Sequence, residues 1–363
     1  MRKKMNVRLI ALLVVLGSFS ANAQLTLPRT PSPAASVSQT IGISTINVAY
    51  SRPSVKKREV WGKMVPYGYN KQAFGAGNEA PWRAGANENT VITFSHEAKV
   101  EGQTVPAGTY GLFFTINTDN NTGEVILSKD YQSWGSFFYD QKQDQLRMKI
   151  QLRSIPHVEL LTYDFENITK NSADLVLNWE KKQFPVNIQF DVDKIVMKNA
   201  NEELKGSTGF SWQNNADAAN YALANKVNLE QAITWIDRAI AQNKNFQTLS
   251  IKSGILAQMG KKDEAEKLMA DAIANPNAGE NDINLYGYQL LNDKQNAKAI
   301  EVFILNTKRF PASANTWDSL GEAYATTGDK AKAIESFKKS LTLNPPANTK
   351  ANSEKFLKEL GGM

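Results

Sequence analysis

Within six positions Arg83, Asn87 and Glu88 supply a guanidinium, an amide and a carboxylate, and the Trp82 indole stands beside them. Such a set can grip a carboxylate, a sugar or a peptide end, with the guanidinium as a bidentate donor and the indole as a stacking face. Arg52, just ahead of Pro53, could add a second guanidinium. The same residues serve a structural end equally well. Arg83 paired with Glu88 would pin loops over a sheet end, and Asn87 would serve a turn.

A reaction needs more than this. Glu59 and Glu88 could be paired carboxylates for glycosidic chemistry, which places them about 5–9 Å apart, but spacing along the chain does not bring them together. His96 and His157 are the two histidines, and neither stands in a His-x-x-x-His or Glu-x-x-His pattern, so no zinc site is expected. The chain has no Cys, which removes disulfides, thiol chemistry and Cys-ligated metals. Gly75-Ala76-Gly77 lies in a polar stretch rather than after a strand and reads as a loop, not a nucleotide fingerprint. Ser128-Lys129 and Ser54-Val55-Lys56 lack the Ser-x-x-Lys spacing. The expectation is a non-enzymatic binding protein with no cofactor or metal. The rival reading is a β domain that binds a small ligand, carbohydrate or peptide around Arg52, Trp82, Arg83 and Glu88, with hydrolysis as its extreme form.

Those residues fall in a stretch whose hydrophobic period is two. Leu146, Met148, Ile150 and Leu152 alternate with polar residues, as do Val186, Ile188, Phe190 and Val192, and Leu175, Leu177 and Trp179 repeat at the same spacing. Turn clusters at 117–123, 106–108 and 169–172 punctuate the runs. Eight or nine short antiparallel strands are expected over 41–196, as an all-β sandwich or barrel-like domain.

Beyond a polar linker at 197–211 the period becomes 3.6. Trp317, Leu320, Gly321, Tyr324, Ala333, Phe337 and Pro345 fall at the spacing of the tetratricopeptide repeat. Ile283, Tyr286, Gly287, Leu290, Ala299, Phe303 and Pro311 fill the same slots 34 residues upstream. Weaker copies precede them, so an all-α solenoid of hairpins is expected at about 213–245, 246–279, 280–313 and 314–347, closed by a capping helix over 348–363. Helix A of each hairpin should line a concave groove, which puts Asn281, Asn284, Tyr288, Asn315, Asp318 and Glu322 against a protein partner.

At the other end, Arg2, Lys3, Lys4 and Arg8 precede an apolar run of about 11 residues and then Ala21-Asn22-Ala23, the pattern of a secretory signal peptide. The run is short against the ~20 residues a membrane span needs, and no Cys follows, so neither a membrane anchor nor a lipoprotein is expected. Residues 24–40, rich in Pro and Ser, read as an extended leader. The whole chain carries 42 basic against 36 acidic residues; without residues 1–23 the balance is 38 to 36, which weakens any nucleic-acid reading. The expected place is periplasm or medium, and the expected partner is an envelope or secreted protein.

Ser51-Arg52-Pro53-Ser54-Val55-Lys56, Val60-Trp61-Gly62, Val65-Pro66-Tyr67-Gly68, Trp82 to Thr90 and Pro106 to Tyr110, with Trp134-Gly135 downstream, resemble the domain-of-unknown-function 2911 family of exported bacterial proteins. The resemblance runs from about 41 to 193 and implies export and a β-rich fold, but no reaction. Shorter members pass almost directly from the Pro-Tyr-Gly motif to Trp-Arg. Here residues 69–81 intervene, so the neighbourhood of any shared site is open to remodelling.

Overall fold

The computed structural model describes residues 31–362, so the signal-peptide reading of 1–23 and the first part of the leader lie outside the described residues. Two compact units divide after Phe190.

The first unit holds two antiparallel sheets. One runs β1 (Ala34–Ile41), β2 (Ser44–Ser51), β5 (Val91–Phe94), β8 (Gly108–Ile116), β9 (Thr122–Ser128) and β10 (Asp144–Gln151). The other runs β11 (Arg153–Glu166), β12 (Ser172–Gln189), β6 (Ala98–Val100) and β7 (Gln103–Val105), and a short hairpin joins β3 (Asn70–Lys71) to β4 (Glu79–Ala80). Period two decides which side chains meet: in β2, Ile46, Val48 and Tyr50 are buried and Thr45, Asn47 and Ala49 exposed. The sheets face each other through aromatic contacts, Tyr50 to Tyr163 with centroids 4.7 Å apart and Phe114 to Phe184 at 5.2 Å. This is a sandwich core.

Three boundaries differ from the sequence expectation. Residues 34–40, read as leader, form β1, paired to β2 in a register that sets Val37 opposite Val48. As an edge strand of small and polar residues it shows little apolar alternation. The runs expected as separate strands near 175–179 and 186–192 are largely one strand, β12, which passes through Glu180 at φ 53. Helix α1 (Val192–Glu203) occupies the expected end of the β domain and much of the linker. The Asp191 carboxylate caps it by accepting from the Lys194 N–H at 3.2 Å, and with only Val192 and Met197 buried its periodicity is faint.

The second unit continues as helical hairpins: α2 (Trp212–Asn225) with α3 (Leu229–Gln242), α4 (Phe246–Gln258) with α5 (Lys262–Ala274), α6 (Glu280–Asn292) with α7 (Asn296–Arg309), and α8 (Ala314–Thr327) with α9 (Lys330–Thr342). Then α10 (Ala347–Glu359) packs on α8 and α9. The repeat glycines are close-approach positions. A Cβ on Gly321 would lie 2.8 Å from the Phe337 ring, and one on Gly287 2.6 Å from Phe303. In these two hairpins helix A therefore nests against the buried ring of its own helix B.

Candidate functional site

A cleft of about 610 Å³ opens in the β unit. Its back is aromatic: Trp82 stacks on Trp179 with centroids 5.7 Å apart and planes at 18°, and Trp61 meets both edge-on at 5.9 and 5.8 Å. Trp82 is held there by backbone, its N–H donating to the Phe114 carbonyl and its carbonyl accepting from the Phe114 N–H, both at 3.0 Å. The next residue, Arg83, also lines the cleft. Its Nη1 donates to the Asn87 carbonyl at 2.6 Å, and its Cζ lies 5.1 Å from the centre of the Phe137 ring. Arg83 makes no ion pair among the described residues, and burial holds its pKa below the usual guanidinium range. Asn87, at φ 62, turns the chain and donates from Nδ2 to the Ser32 carbonyl at 3.3 Å.

Of the five residues singled out in the β unit, Trp82, Arg83 and Asn87 share this cleft, whereas Arg52 and Glu88 are not among its lining. Arg52 donates from Nε to the Leu161 carbonyl at 2.9 Å and from Nη2 to Thr162 Oγ1 at 2.6 Å, which ties the loop after β2 to β11. The second guanidinium lining the cleft belongs to Arg58, not to Arg52. Arg58 lines the cleft, with Nε donating to the Val55 carbonyl at 3.0 Å, and Lys56 and Lys71 line it too. No pattern in the sequence separated these cations from solvated ones. Trp179 was legible only as a strand residue. Elsewhere, His157 Nε2 lies 3.2 Å from Glu159 and His96 Nδ1 lies 3.0 Å from Ser95 Oγ. Among the described residues no three His, Asp or Glu side chains group as metal ligands.

The stretch 69–81 is the β3–β4 hairpin, and Asn70, Lys71, Gln72, Ala80 and Pro81 form one wall of the cleft. It is braced away from the cleft by side chains. Arg147 Nη1 donates to Tyr69 OH and Nη2 to Tyr139 OH, each at 2.6 Å, while its guanidinium pairs with Asp144 at 2.7 Å; Tyr69 OH donates to Glu124. Burial, with the Glu124 and Asp144 carboxylates as acceptors, keeps both phenols protonated at neutral pH. They act as fixed donors.

In the helical unit, most of the residues expected to face a groove are tied to neighbouring hairpins. Tyr288 OH bonds Ser319 Oγ at 3.1 Å and donates to Glu322 at 3.0 Å, and Asn315 Nδ2 donates to Glu280 at 3.0 Å. Asp318 is buried and accepts from Asn352 Nδ2 at 2.8 Å and Ser353 Oγ at 2.5 Å; Asn352 also donates to Glu322. Asn284 Oδ1 is buried without a partner among the described residues, and Asn281 is exposed. Asn284, Asp318 and Asn352 are the same slot in successive copies, so this set is a polar seam between repeats.

The seam titrates. Burial raises the Asp318 pKa above its ordinary 3.8, outweighing the Ser353 and Asn352 donors that favour the charged form. The folded chain then takes up a proton at a pH where the unfolded chain has not. Wild-type stability should therefore rise relative to Asp318→Asn as pH falls from 7 through that raised value. Urea unfolding of both chains at about pH 7 and about pH 4.5 measures the difference, and a pH-independent difference would show an unshifted carboxyl.

A separate groove of about 590 Å³ lies between the second and third hairpins, where Ser250, Gly254 and Ala257 of α4 face Tyr286, Gln289 and Leu290 of α6. Met269 and Leu223 add apolar surface, and Lys298, paired to Glu266 at 2.9 Å, stands at its border.

Residues 32–188 match the family described as Protein of unknown function (DUF2911), and residues 314–346 match the tetratricopeptide repeat. The curated proteins contain no match. Among solved structures the chain is similar to the MamA protein, at 18% identity and a TM-score of 0.30 over 40% of this chain and 80% of that one. It is also similar to pilF of Pseudomonas aeruginosa, at 18% identity and a TM-score of 0.31 over 42% of this chain and 71% of that one. YrrB, described as a TPR protein with an unusual peptide-binding site, is 17% identical with a TM-score of 0.30, over 44% of this chain and 90% of that one.

Proposed function

We propose that this chain, a DUF2911 domain joined to tetratricopeptide hairpins, is an exported, non-enzymatic scaffold whose helical unit holds an extended segment of an envelope or secreted protein. The groove between the second and third hairpins carries the reading. Small residues of α4 leave it open, Leu223, Met269 and Leu290 offer apolar surface, and Asn220, Gln289 and Gln295 offer amides to a peptide backbone. Export rests on the signal pattern of residues 2–23. No helix among the described residues is long and apolar enough to cross a membrane.

The test uses the whole chain in affinity capture from the exported fraction. Gln289 is exposed on α6 at the groove, and Gln289→Trp fills it from a position that carries no core packing. The expected result is a partner retained by the wild type and reduced at least about tenfold by Gln289→Trp. Equal retention would remove the groove from the function, and absence of the chain from the exported fraction would remove its place of action.

A further inference from the structure

We propose that the β-unit cleft binds a small-molecule oxyanion, a carboxylate or phosphate monoester on a flat apolar body, with the acid group seated on Arg83. The site is separate from the helical groove and stands or falls without it.

The guanidinium is set up for such a ligand. Nη1 is committed to the Asn87 carbonyl, while the Nε and Nη2 edge has no partner among the described residues. That edge offers two parallel N–H donors whose spacing matches two oxygens of one acid group. The side chain is also fixed. Phe137 covers it at 5.1 Å, and Gly135 lies so close that a Cβ there would come within 2.4 Å of Cζ. A side chain held this way has little rotamer freedom left to lose on binding.

Charge points the same way. A partly buried cation without a counter-ion is uncommon, because the lost hydration is normally replaced by a paired carboxylate. Among the described residues Arg83 has none, and Lys56, Arg58 and Lys71 line the same cleft while no Asp or Glu does. Glu159 is the carboxylate on the Lys56 side, where it accepts from the Lys56 N–H at 2.9 Å and lies near Arg58 without lining the cleft. A concave site walled by protein and lined by one sign of charge concentrates anions.

The apolar body follows from the back of the cleft. Trp82 and Trp179 present stacked indoles, and Trp179, 1% exposed, keeps an indole N–H with no acceptor among the described residues. The volume of about 610 Å³ suits a molecule larger than a bare ion. A neutral sugar could accept from the Arg83 edge but would leave its charge without a counter-ion.

Calorimetry on the whole chain tests this with 2-naphthoate, 2-naphthyl phosphate and the uncharged 2-naphthamide as probes, indole fluorescence serving as a second signal. At least one anion should bind saturably, and the tighter of the two identifies the acid group. The amide should bind at least about tenfold more weakly. Arg83→Gln should weaken the anion at least about thirtyfold, and Arg83→Lys, which keeps the charge but not the fork, by an intermediate factor. Lys71→Glu changes an exposed residue of the β3–β4 hairpin and should weaken the anion several-fold even if the Arg83 variants do not fold. The proposal is overturned if neither anion saturates at about 10 mM, if the amide binds equally well, or if binding survives Arg83→Gln or Lys71→Glu unchanged.

Discussion

Phe337→Ala should remove about 3–5 kcal/mol from the stability of the helical unit. Phe337 is fully buried, packs on the open side of Gly321 and stacks on Phe356 at 5.0 Å with planes at 10°. Its ring thus fills the meeting point of α8, α9 and α10. Gly321 has no side chain with which to collapse into the space, so the cavity persists and the cost falls at the high end for its type. The loss should be uneven: α10 gives up its stacking partner, so its amides over 347–359 should exchange faster than those of α2 to α5. Urea unfolding followed by far-UV ellipticity, with hydrogen exchange read by segment, measures both. A loss below about 1 kcal/mol would mean that the repeat is held by its polar seam instead.

In the β unit, Trp179→Ala and Trp179→Phe should part company. The alanine variant loses an indole packed against Trp61, Trp82 and the core between the sheets, at about 3–5 kcal/mol. The phenylalanine variant keeps an aromatic ring and discards the N–H that has no acceptor among the described residues, which recovers roughly 1–3 kcal/mol of desolvation against the smaller loss of area. Trp179→Phe should therefore cost well under half as much as Trp179→Ala, measured by denaturant unfolding of each chain. Equal costs would show that the indole N–H has found an acceptor.

The hairpins were the most legible part of the sequence, because a repeat states its packing twice: Gly287 with Phe303, and Gly321 with Phe337, fall at one spacing and make one contact. The sandwich was legible where one face of a strand is wet, as in β10, and poorly so at β1, whose edge position asks for little apolar alternation. The candidate site was legible by half. Trp82, Arg83 and Asn87 are neighbours in the chain as well as in the cleft. Arg58, Lys71 and Trp179 reach it from distant segments, and no local pattern tells a lysine at a cleft from one in open water. Arg52 misled for the same reason: its partners, Leu161 and Thr162, lie more than a hundred residues away.

Among the described residues the β3–β4 hairpin pairs with no other strand; it is fastened by the Ala76 N–H, which donates to the Phe137 carbonyl at 2.8 Å, and by side chains, chiefly Tyr69 to Arg147 and Glu124. The sheets can keep every register while this one wall changes length or composition. Selectivity and foldability are then inherited through different residues. Descendants of one sandwich could trade ligands by editing a dozen positions that the core never consults.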